Sequence, residues 1–327
     1  MPYFVSEMKQ KKGKEHTGIV VKSTGSWYSV RMENGERIAC RLAGKLRLDK
    51  RKTTNPVAVG DHVIFSMDDT GNATIQEISK RKNYIIRKSL NLSHQAHILA
   101  SNIDQAIIIA TLVLPRTSTG FIDRFLVTAE AYHIPAVIVF NKTDLLDTEL
   151  REIQSALMEL YRKIGYTCLE ISAQDNQDVE RIKKILKDKV SLIAGHSGVG
   201  KSTLINGVQP GLNLKTGTLS AAHLKGTHTT TFAELFDLDF GGFIIDTPGI
   251  KELGLLEMKR EEVGHYFPEF RERMNDCRFN NCTHTNEPDC AIMVSMEKGE
   301  IDEGRYHNYI SILSGEEMDW KKWENSD

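Results

Sequence analysis

Residues 195–202 read GHSGVGKS, with Gly195, Gly200, Lys201 and Ser202 spaced as a phosphate-binding loop requires. The stretch lies between an apolar run, VSLIA, and a helix-like one, STLING. That context is what the motif needs: glycines let backbone N–H groups surround an anion, and a helix N-terminus favours negative charge. His196, Ser197, Gly198, Val199 and Thr203 complete the expected cradle, with Lys201 on the β and γ phosphates and Ser202 on Mg²⁺. A second stretch, GGFIIDTPG at 241–249, sets Asp246 at the end of an apolar run. Asp246 is suited to hold Mg²⁺ through water, and the Gly249 amide to sense the terminal phosphate. Alone, DTPG also makes an ordinary turn, and it gains meaning from the phosphate loop beside it.

A third stretch, NKTD at 141–144, follows the apolar run PAVIVF. A carboxylate such as Asp144 accepts from a base offering two adjacent donors, as guanine does through N1 and N2. Adenine would set an acceptor against it, a mismatch that can reject a ligand by roughly 10⁴-fold or more. Asn141 is expected beside it on the base, Lys142 across the ring, Thr143 within the same loop, and Ser172-Ala173 with a backbone amide at the guanine oxygen. The ligand is therefore read as GTP. The alternative for NKTD is a helix N-cap, because a helical run follows Asp144. Between the phosphate loop and DTPG lies GTHTTT, residues 226–231. A mobile switch with an Mg²⁺-binding threonine is needed there; Thr229, Thr230 and Thr231 are candidates, and Thr230 is favoured.

Strands and helices must carry these loops. The runs QAIIIATLVL, PAVIVF, TCLEIS, VSLIAG and FIIDTPG are near-continuous in apolar residues, as buried parallel strands are. Residues 121–133 and 148–164 have helical spacing, so an α/β domain with a sheet covered on both faces is expected. From His16 to about Lys82, short β-rich runs are broken at Asn34-Gly35, Asn55-Pro56, Gly60-Asp61 and Thr70-Gly71-Asn72. They fit a small closed barrel such as an OB-fold. RKSLNLSHQAHILASN then reads as a connector.

Residues 1–88 hold 18 Lys and Arg against 9 Asp and Glu, and the remainder 24 against 35. A basic head on an acidic body suggests a polyanion-binding N-terminal part, the alternative being a merely solvated basic surface. Trp27, Tyr28, Arg31, Arg41, Lys45 and Arg47 are the candidates to stack on RNA bases and neutralise phosphates. Any one of the aromatics can instead fill the barrel. The N-terminus has no apolar core after its charges, and no run approaches the roughly 18 apolar residues of a membrane helix, so a cytoplasmic protein is expected. Five cysteines, an odd total, argue against a disulfide framework. Cys40 and Cys168 read as buried thiols. Beyond about Glu261 the pattern is helical and polar, and the tail EEMDWKKWENSD is either a docking helix or a frayed end.

The order NKTD, SA, phosphate loop, switch threonines, DTPG is a circular permutation of the usual GTPase order. Domain termini often lie close together, so such a rearrangement preserves the sheet. On these residues the chain resembles the RsgA family (YjeQ/YloQ), circularly permuted GTPases dependent on the small ribosomal subunit, over nearly its whole length. The tail agrees: Cys277, Cys282, His284 and Cys290 form a C-x₄-C-x-H-x₅-C cluster. Three thiolates and an imidazole close a tetrahedral set for one structural Zn²⁺ and leave no open position. The family's zinc pattern matches these positions.

The resemblance implies a multi-domain protein: an OB-fold RNA- or ribosome-binding β-barrel at 1–85, a central α/β circularly permuted P-loop GTPase domain at 86–262, and a mostly helical zinc-binding domain at 263–327. It implies a late-assembly factor that binds the 30S subunit and 16S rRNA and leaves after hydrolysing GTP to GDP and phosphate; on oligomeric state the sequence is silent, and a monomer is the default. Two other readings stand beside it. One is a GTP-regulated RNA-binding module whose hydrolysis is incidental. The other is a zinc protein with a degenerate site, against which the intact Lys201, Ser202, Asp246 and Asp144 speak. Ile250 stands where many GTPases have a water-orienting glutamine, so intrinsic hydrolysis is expected to be slow. His228 is the candidate to orient the water, or else it packs or caps the switch. Gly198 stands where potassium-activated relatives have asparagine, so a potassium mechanism through that residue is not supported.

Overall fold

Alternating burial shapes the N-terminal part of the chain into short strands. The computed structural model describes residues 14–44, 46, 56–88, 96–212, 233–246 and 260–315. Its first five strands are β1 (Lys14–Ser23), β2 (Tyr28–Arg31), β3 (Arg37–Leu42), β4 (His62–Met67) and β5 (Ala73–Ile78). β1 pairs with both β2 and β4, and β3 lies parallel to β5, so the strands close in the order β1-β2-β3-β5-β4. This is a closed five-stranded barrel of OB type, and closure removes the exposed edges. Val20, Tyr28, Val30, Cys40, Phe65 and Ile75 fill it. Burial pushes the Cys40 thiol up to about 12, which keeps it an inert apolar filler.

The segment read as a connector, residues 87–102, instead carries β7 (Ala96–Ser101), which pairs antiparallel with β6 (Tyr84–Lys88), a strand that begins just before it. Ile85, Ile98 and Ala100, inconspicuous within a polar stretch, are buried there. Asp61, 0% exposed, ties this pair to the barrel. It accepts from Arg81 Nε and Nη2 at 2.6 Å each, from Ser101 Oγ at 2.6 Å and from the Ala58 amide at 2.8 Å. The described residues up to Asn102, with 233–236, form one compact unit, and those from Ile103 to 212 and from Asp237 to 315 form another.

The second unit is built on β8 (Gln105–Ala110), β9 (Ala136–Phe140), β10 (Thr167–Glu170) and β11 (Val190–Ala194). In the first unit, Glu234 of β12 (Glu234–Asp237) lies against Lys22 of β1, 2.8 Å away; in the second, β13 (Phe243–Asp246) follows. β10, β9, β8, β11 and β13 lie side by side in that order, all parallel. The expected helices are α1 (Thr119–Ala131) and α2 (Thr148–Ile164), followed by α3 (Asn176–Leu186) and α4 (Lys201–Val208). Ser118, Asp147 and Asp175 cap the first three by accepting backbone N–H bonds, the usual reason such residues start helices. β11, fourth of these strands in sequence, lies between β8 and β13 in the sheet, and this is how a permuted order builds an ordinary α/β sheet.

The C-terminal region folds as short helical turns at Arg260–Val263 and Pro268–Arg271, then α5 (Ala291–Glu297) and α6 (Glu303–Ser314). It reads as polar, yet Phe267, Phe270, Ile292, Ile301, Tyr309 and Leu313 form a core that packs on Val127 of α1. A buried charge network reinforces the contact. Arg305, 2% exposed, donates Nη1 to Asp123 Oδ1 at 2.5 Å, Nε to Glu269 Oε1 at 2.8 Å and Nη2 to Glu269 Oε2 at 3.1 Å. Asp123, 0% exposed, also accepts from Tyr161 Oη at 2.8 Å and Asn308 Nδ2 at 2.6 Å. Among the described residues no helix is long and apolar enough to cross a membrane.

Removing one member of such a network leaves buried charges unpaired. Arg305→Ala is expected to lower stability by about 3–5 kcal/mol in urea unfolding of the full chain. A change below about 1 kcal/mol would show that the network contributes little.

Candidate functional site

In a parallel sheet every strand ends on the same edge, and ligands bind beyond those carboxyl ends where the strand order reverses. The loops after β9, β10, β11 and β13 are NKTD, Ser172-Ala173, GHSGVGKS and DTPG. Three of these motifs thus share one edge, where Asp246 also ends β13. Hydrogen bonds join the three.

Asn141, 1% exposed, is the joint. Its Nδ2 donates to Val199 O at 2.8 Å, and its Oδ1 accepts from the Ala173 amide at 2.9 Å. Gly200 must be glycine here, because at φ +96 its Cβ would lie 2.3 Å from Asn141 Nδ2. The expectation that Asn141 lies on the base is compatible with this bracing, which uses one N–H and one oxygen lone pair of a carboxamide that has two of each. The amides of Ser172 and Ala173 are both engaged, with Asp178 Oδ2 at 2.8 Å and with Asn141. Lys142 takes a left-handed conformation, φ +65, and its Nζ donates to Leu114 O. Thr143 is half-buried, and its amide donates to Ile171 O at 3.2 Å. Asp144 is exposed. The cap of α2 is Asp147, whose Oδ1 accepts from Leu150 N at 2.9 Å, and this removes the N-cap alternative for Asp144.

In the loop after β11, Gly195, Gly198 and Gly200 all have positive φ, at 141°, 87° and 96°. Lys201 Nζ donates to Gly195 O at 2.7 Å and to His196 O. These two bonds hold the ammonium within the loop whose backbone it would help to close around a phosphate. Lys201, Ser202 and Thr203 form the first turn of α4, Ser202 being buried, with Val199 at 0% exposed beneath. Ser197 is exposed, and the His196 ring lies 3.8 Å from that of Phe121 on α1. Asp246 ends β13; its side chain, and Thr230, His228 and Gly249, lie outside the described residues.

Sequence reasoning missed the loop after β8. Thr117 N donates to Thr111 O at 2.7 Å and Thr111 Oγ1 to Pro115 O at 2.5 Å, closing a tight turn. Leu114 and Pro115 then sit beside both NKTD, through Lys142, and the phosphate loop. A Cβ on Gly198 would lie 3.2 Å from Pro115 Cδ. The only hint in the sequence was an LPRTST stretch after an apolar strand.

The ligating atoms of Cys277, Cys282, His284 and Cys290 all lie within 4.8 Å of one another. His284 Nδ1 is 3.6 Å from Cys277 Sγ and 3.5 Å from Cys290 Sγ. Bonds of about 2.3 Å to sulfur and about 2.05 Å to nitrogen, at the tetrahedral angle, span about 3.6 Å, so the set fits Zn²⁺. Burial pushes the Cys282 thiol up to about 12, raises Cys290 and lowers His284. A cation is what would hold these sulfurs as thiolates beside a neutral imidazole. Burial alone would raise Glu287, yet hydrogen bonds from Thr283 and Thr285 hold it down at about 2.

On the barrel, Trp27 is 42% exposed and the Arg41 guanidinium lies 4.3 Å from its ring. Arg31 is half-buried, with Nη1 donating to Met32 O at 3.3 Å. Tyr28 is a correction: at 3% exposed it fills the barrel core and presents no face to a base. Trp27 lies in the hairpin loop before β2, whereas Tyr28 begins the strand and turns its side chain inward. Lys45 and Arg47 lie outside the described residues.

A sequence model of the RsgA GTPase family matches residues 78–256, and one of the RsgA N-terminal domain matches residues 17–75. The chain is 51% identical over 308 residues to a Flavobacterium johnsoniae protein named small ribosomal subunit biogenesis GTPase RsgA, covering 93% of this chain and 95% of that one. It is 53% identical over 307 residues to the protein so named in Christiangramia forsetii, with 93% and 98% covered. Among solved structures it is similar to YjeQ from Thermotoga maritima, with TM-score 0.76 and 38% identity over 92% of this chain and 98% of that one. It is also similar to YloQ, a circularly permuted GTPase, with TM-score 0.73 and 31% identity over 92% and 95%.

Asn141→Ala strands the buried Val199 carbonyl and Ala173 amide, and is expected to cost about 1–3 kcal/mol in urea unfolding. Asn141→Asp should cost more, because a carboxylate would face the Val199 carbonyl.

Proposed function

Because the chain belongs to the RsgA GTPase family, we propose that it hydrolyses GTP to GDP and phosphate under stimulation by the 30S ribosomal subunit, in late small-subunit maturation. The observation that carries this reading is the Asn141 joint, which fixes a base-reading loop at a set distance from a phosphate-binding loop. Asp144 would read guanine N1 and N2, with Asn141, Lys142, Thr143, Ser172 and Ala173 around the base. Residues Gly195 to Thr203 would surround the phosphates, and Gly249 would sense the last of them. Lys201, whose ammonium lies in the loop against the carbonyls of Gly195 and His196, would bring its charge to the β and γ phosphates. Mg²⁺, held by Ser202, Thr230 and Asp246, would neutralise charge on the phosphate oxygens. Ile250 supports slow intrinsic turnover, and His228 is assigned the water-orienting role in the 30S-stimulated reaction.

The division is 1–85 for the barrel, 86–262 for the GTPase domain and 263–327 for the zinc-binding domain, with one structural Zn²⁺ on Cys277, Cys282, His284 and Cys290. The barrel faces 16S rRNA through Trp27, Arg31, Arg41, Lys45 and Arg47. The protein is a cytoplasmic monomer without a membrane partner.

GTP turnover measured alone, with purified 30S and with 50S tests the reading. Stimulation by 30S only is expected; tight, salt-sensitive RNA binding with unchanged turnover would favour an RNA-binding module instead. His228→Ala should keep GTP affinity and lose most of the 30S-stimulated rate, and full stimulated turnover would remove His228 from the mechanism. Trp27→Ala should weaken 30S binding about 5- to 100-fold, as loss of one base stack of about 1–3 kcal/mol implies, in a sedimentation assay at fixed salt.

A further inference from the structure

His284 is the least ordinary ligand of the metal set. Its φ is +55, a left-handed conformation that a side chain other than glycine adopts only when its surroundings hold it there. Two tyrosine hydroxyls on α6 bind the carbonyls around it: Tyr309 Oη donates to Thr283 O at 2.7 Å and Tyr306 Oη to His284 O at 2.8 Å. The donors around it converge on one carboxylate. Glu287 Oε1 accepts from the Thr283 amide at 2.7 Å and Thr283 Oγ1 at 2.5 Å, and Oε2 from the Thr285 amide at 2.9 Å and the Asn286 amide at 3.1 Å. Glu287 is not one of the clustered ligands, and both its oxygens are filled by these four donors.

We infer that Glu287 is the positioning residue of the metal centre: it gathers the Thr283–Asn286 turn so that the His284 imidazole meets the three sulfurs. Charge argues for this role over a ligand role. Three thiolates and one Zn²⁺ already carry net negative charge, so another carboxylate nearby does not aid them electrostatically. What it supplies is acceptor capacity at a turn made almost wholly of donors. Glutamine cannot replace it, because one of its two ends is an NH₂ that would face amide N–H groups. Residues that orient ligands without touching the metal typically change affinity by roughly 10- to 100-fold when replaced.

The inference rests on the zinc reading, and the experiment separates the two. Metal content of the native full-length chain is measured first; a chain with no zinc ends the zinc reading. Given zinc, its release to a chromogenic chelator is followed for native protein, Glu287→Gln and Glu287→Ala, with guanine-nucleotide binding as the check that the rest of the chain is folded. Zinc release roughly 10- to 100-fold faster is expected for both variants. After exchange with Co²⁺, the visible bands of a tetrahedral sulfur-rich site should weaken or shift in the variants, since an unpositioned imidazole is replaced by water. Native release rates and an unchanged Co²⁺ spectrum would overturn the inference. If the Glu287 variants do not fold, Thr283→Val carries the test, because it deletes the hydroxyl that donates to Oε1 and meets Thr285 Oγ1 at 3.0 Å while keeping the backbone donors to Glu287. Release several-fold faster than native would support the inference, and release at the native rate would overturn it.

Discussion

The geometry of the site depends on a single buried carboxamide. Asn141 spends its oxygen on the amide of Ala173 and one N–H on the carbonyl of Val199, so three loops from different parts of the chain are fixed to one another. A base-reading loop and a phosphate-reading loop serve one nucleotide only if their separation is constant. A side chain with both ends bonded and no room to turn enforces that constancy more strictly than chain connectivity. The permuted order is therefore harmless: what must be preserved is the joint and the parallel sheet under it, not the sequence in which the strands are made.

The same unit docks its C-terminal region through charge as well as apolar burial. Buried ion pairs are weak sources of net stability, since desolvation offsets most of the attraction, but they tolerate few alternative geometries. Arg305 satisfies two carboxylates from different elements, Asp123 on α1 and Glu269 in the short helical turn before the metal cluster. α1 touches the phosphate loop through Phe121 and His196 as well. One helix is thus common to the phosphate loop and to the metal-bearing region, and this complements the sequence order, in which the chain runs from DTPG directly into that region.

Much of the chemistry was legible because it is local. The glycines, Lys201 and Ser202 lie within eight residues of one another, and the metal ligands within fourteen, so spacing alone restricts what they can do. Barrel closure and the apolar strands followed from turn residues and burial period. Less legible were elements that depend on a partner distant in sequence. Ile98 and Ala100 are too few to mark a strand until Asp61 and Arg81 anchor it to the barrel. Asp144 and Asp147 are equally good caps on paper, and only the start of α2 decides between them. Trp27 and Tyr28 are equivalent aromatics until the hairpin leaves one in its loop and the strand sends the other into the core. Asp123 and Arg305, 182 residues apart, gave no sign of each other.

The amino-acid sequence by itself determined the kinds of chemistry available: anion binding by a glycine-rich loop, base reading by a carboxylate, and metal binding by three cysteines and a histidine. Each rests on residues close together in the chain, whose mutual reach the backbone limits. Only the tertiary structure decided how those parts meet. Asn141 serves as a brace, the Leu114-Pro115 turn lies against Gly198, and Glu287 gathers the turn that carries His284. These are contacts in which burial and unsatisfied hydrogen-bonding groups choose the partner, and that choice exists only once the chain has excluded water from between them.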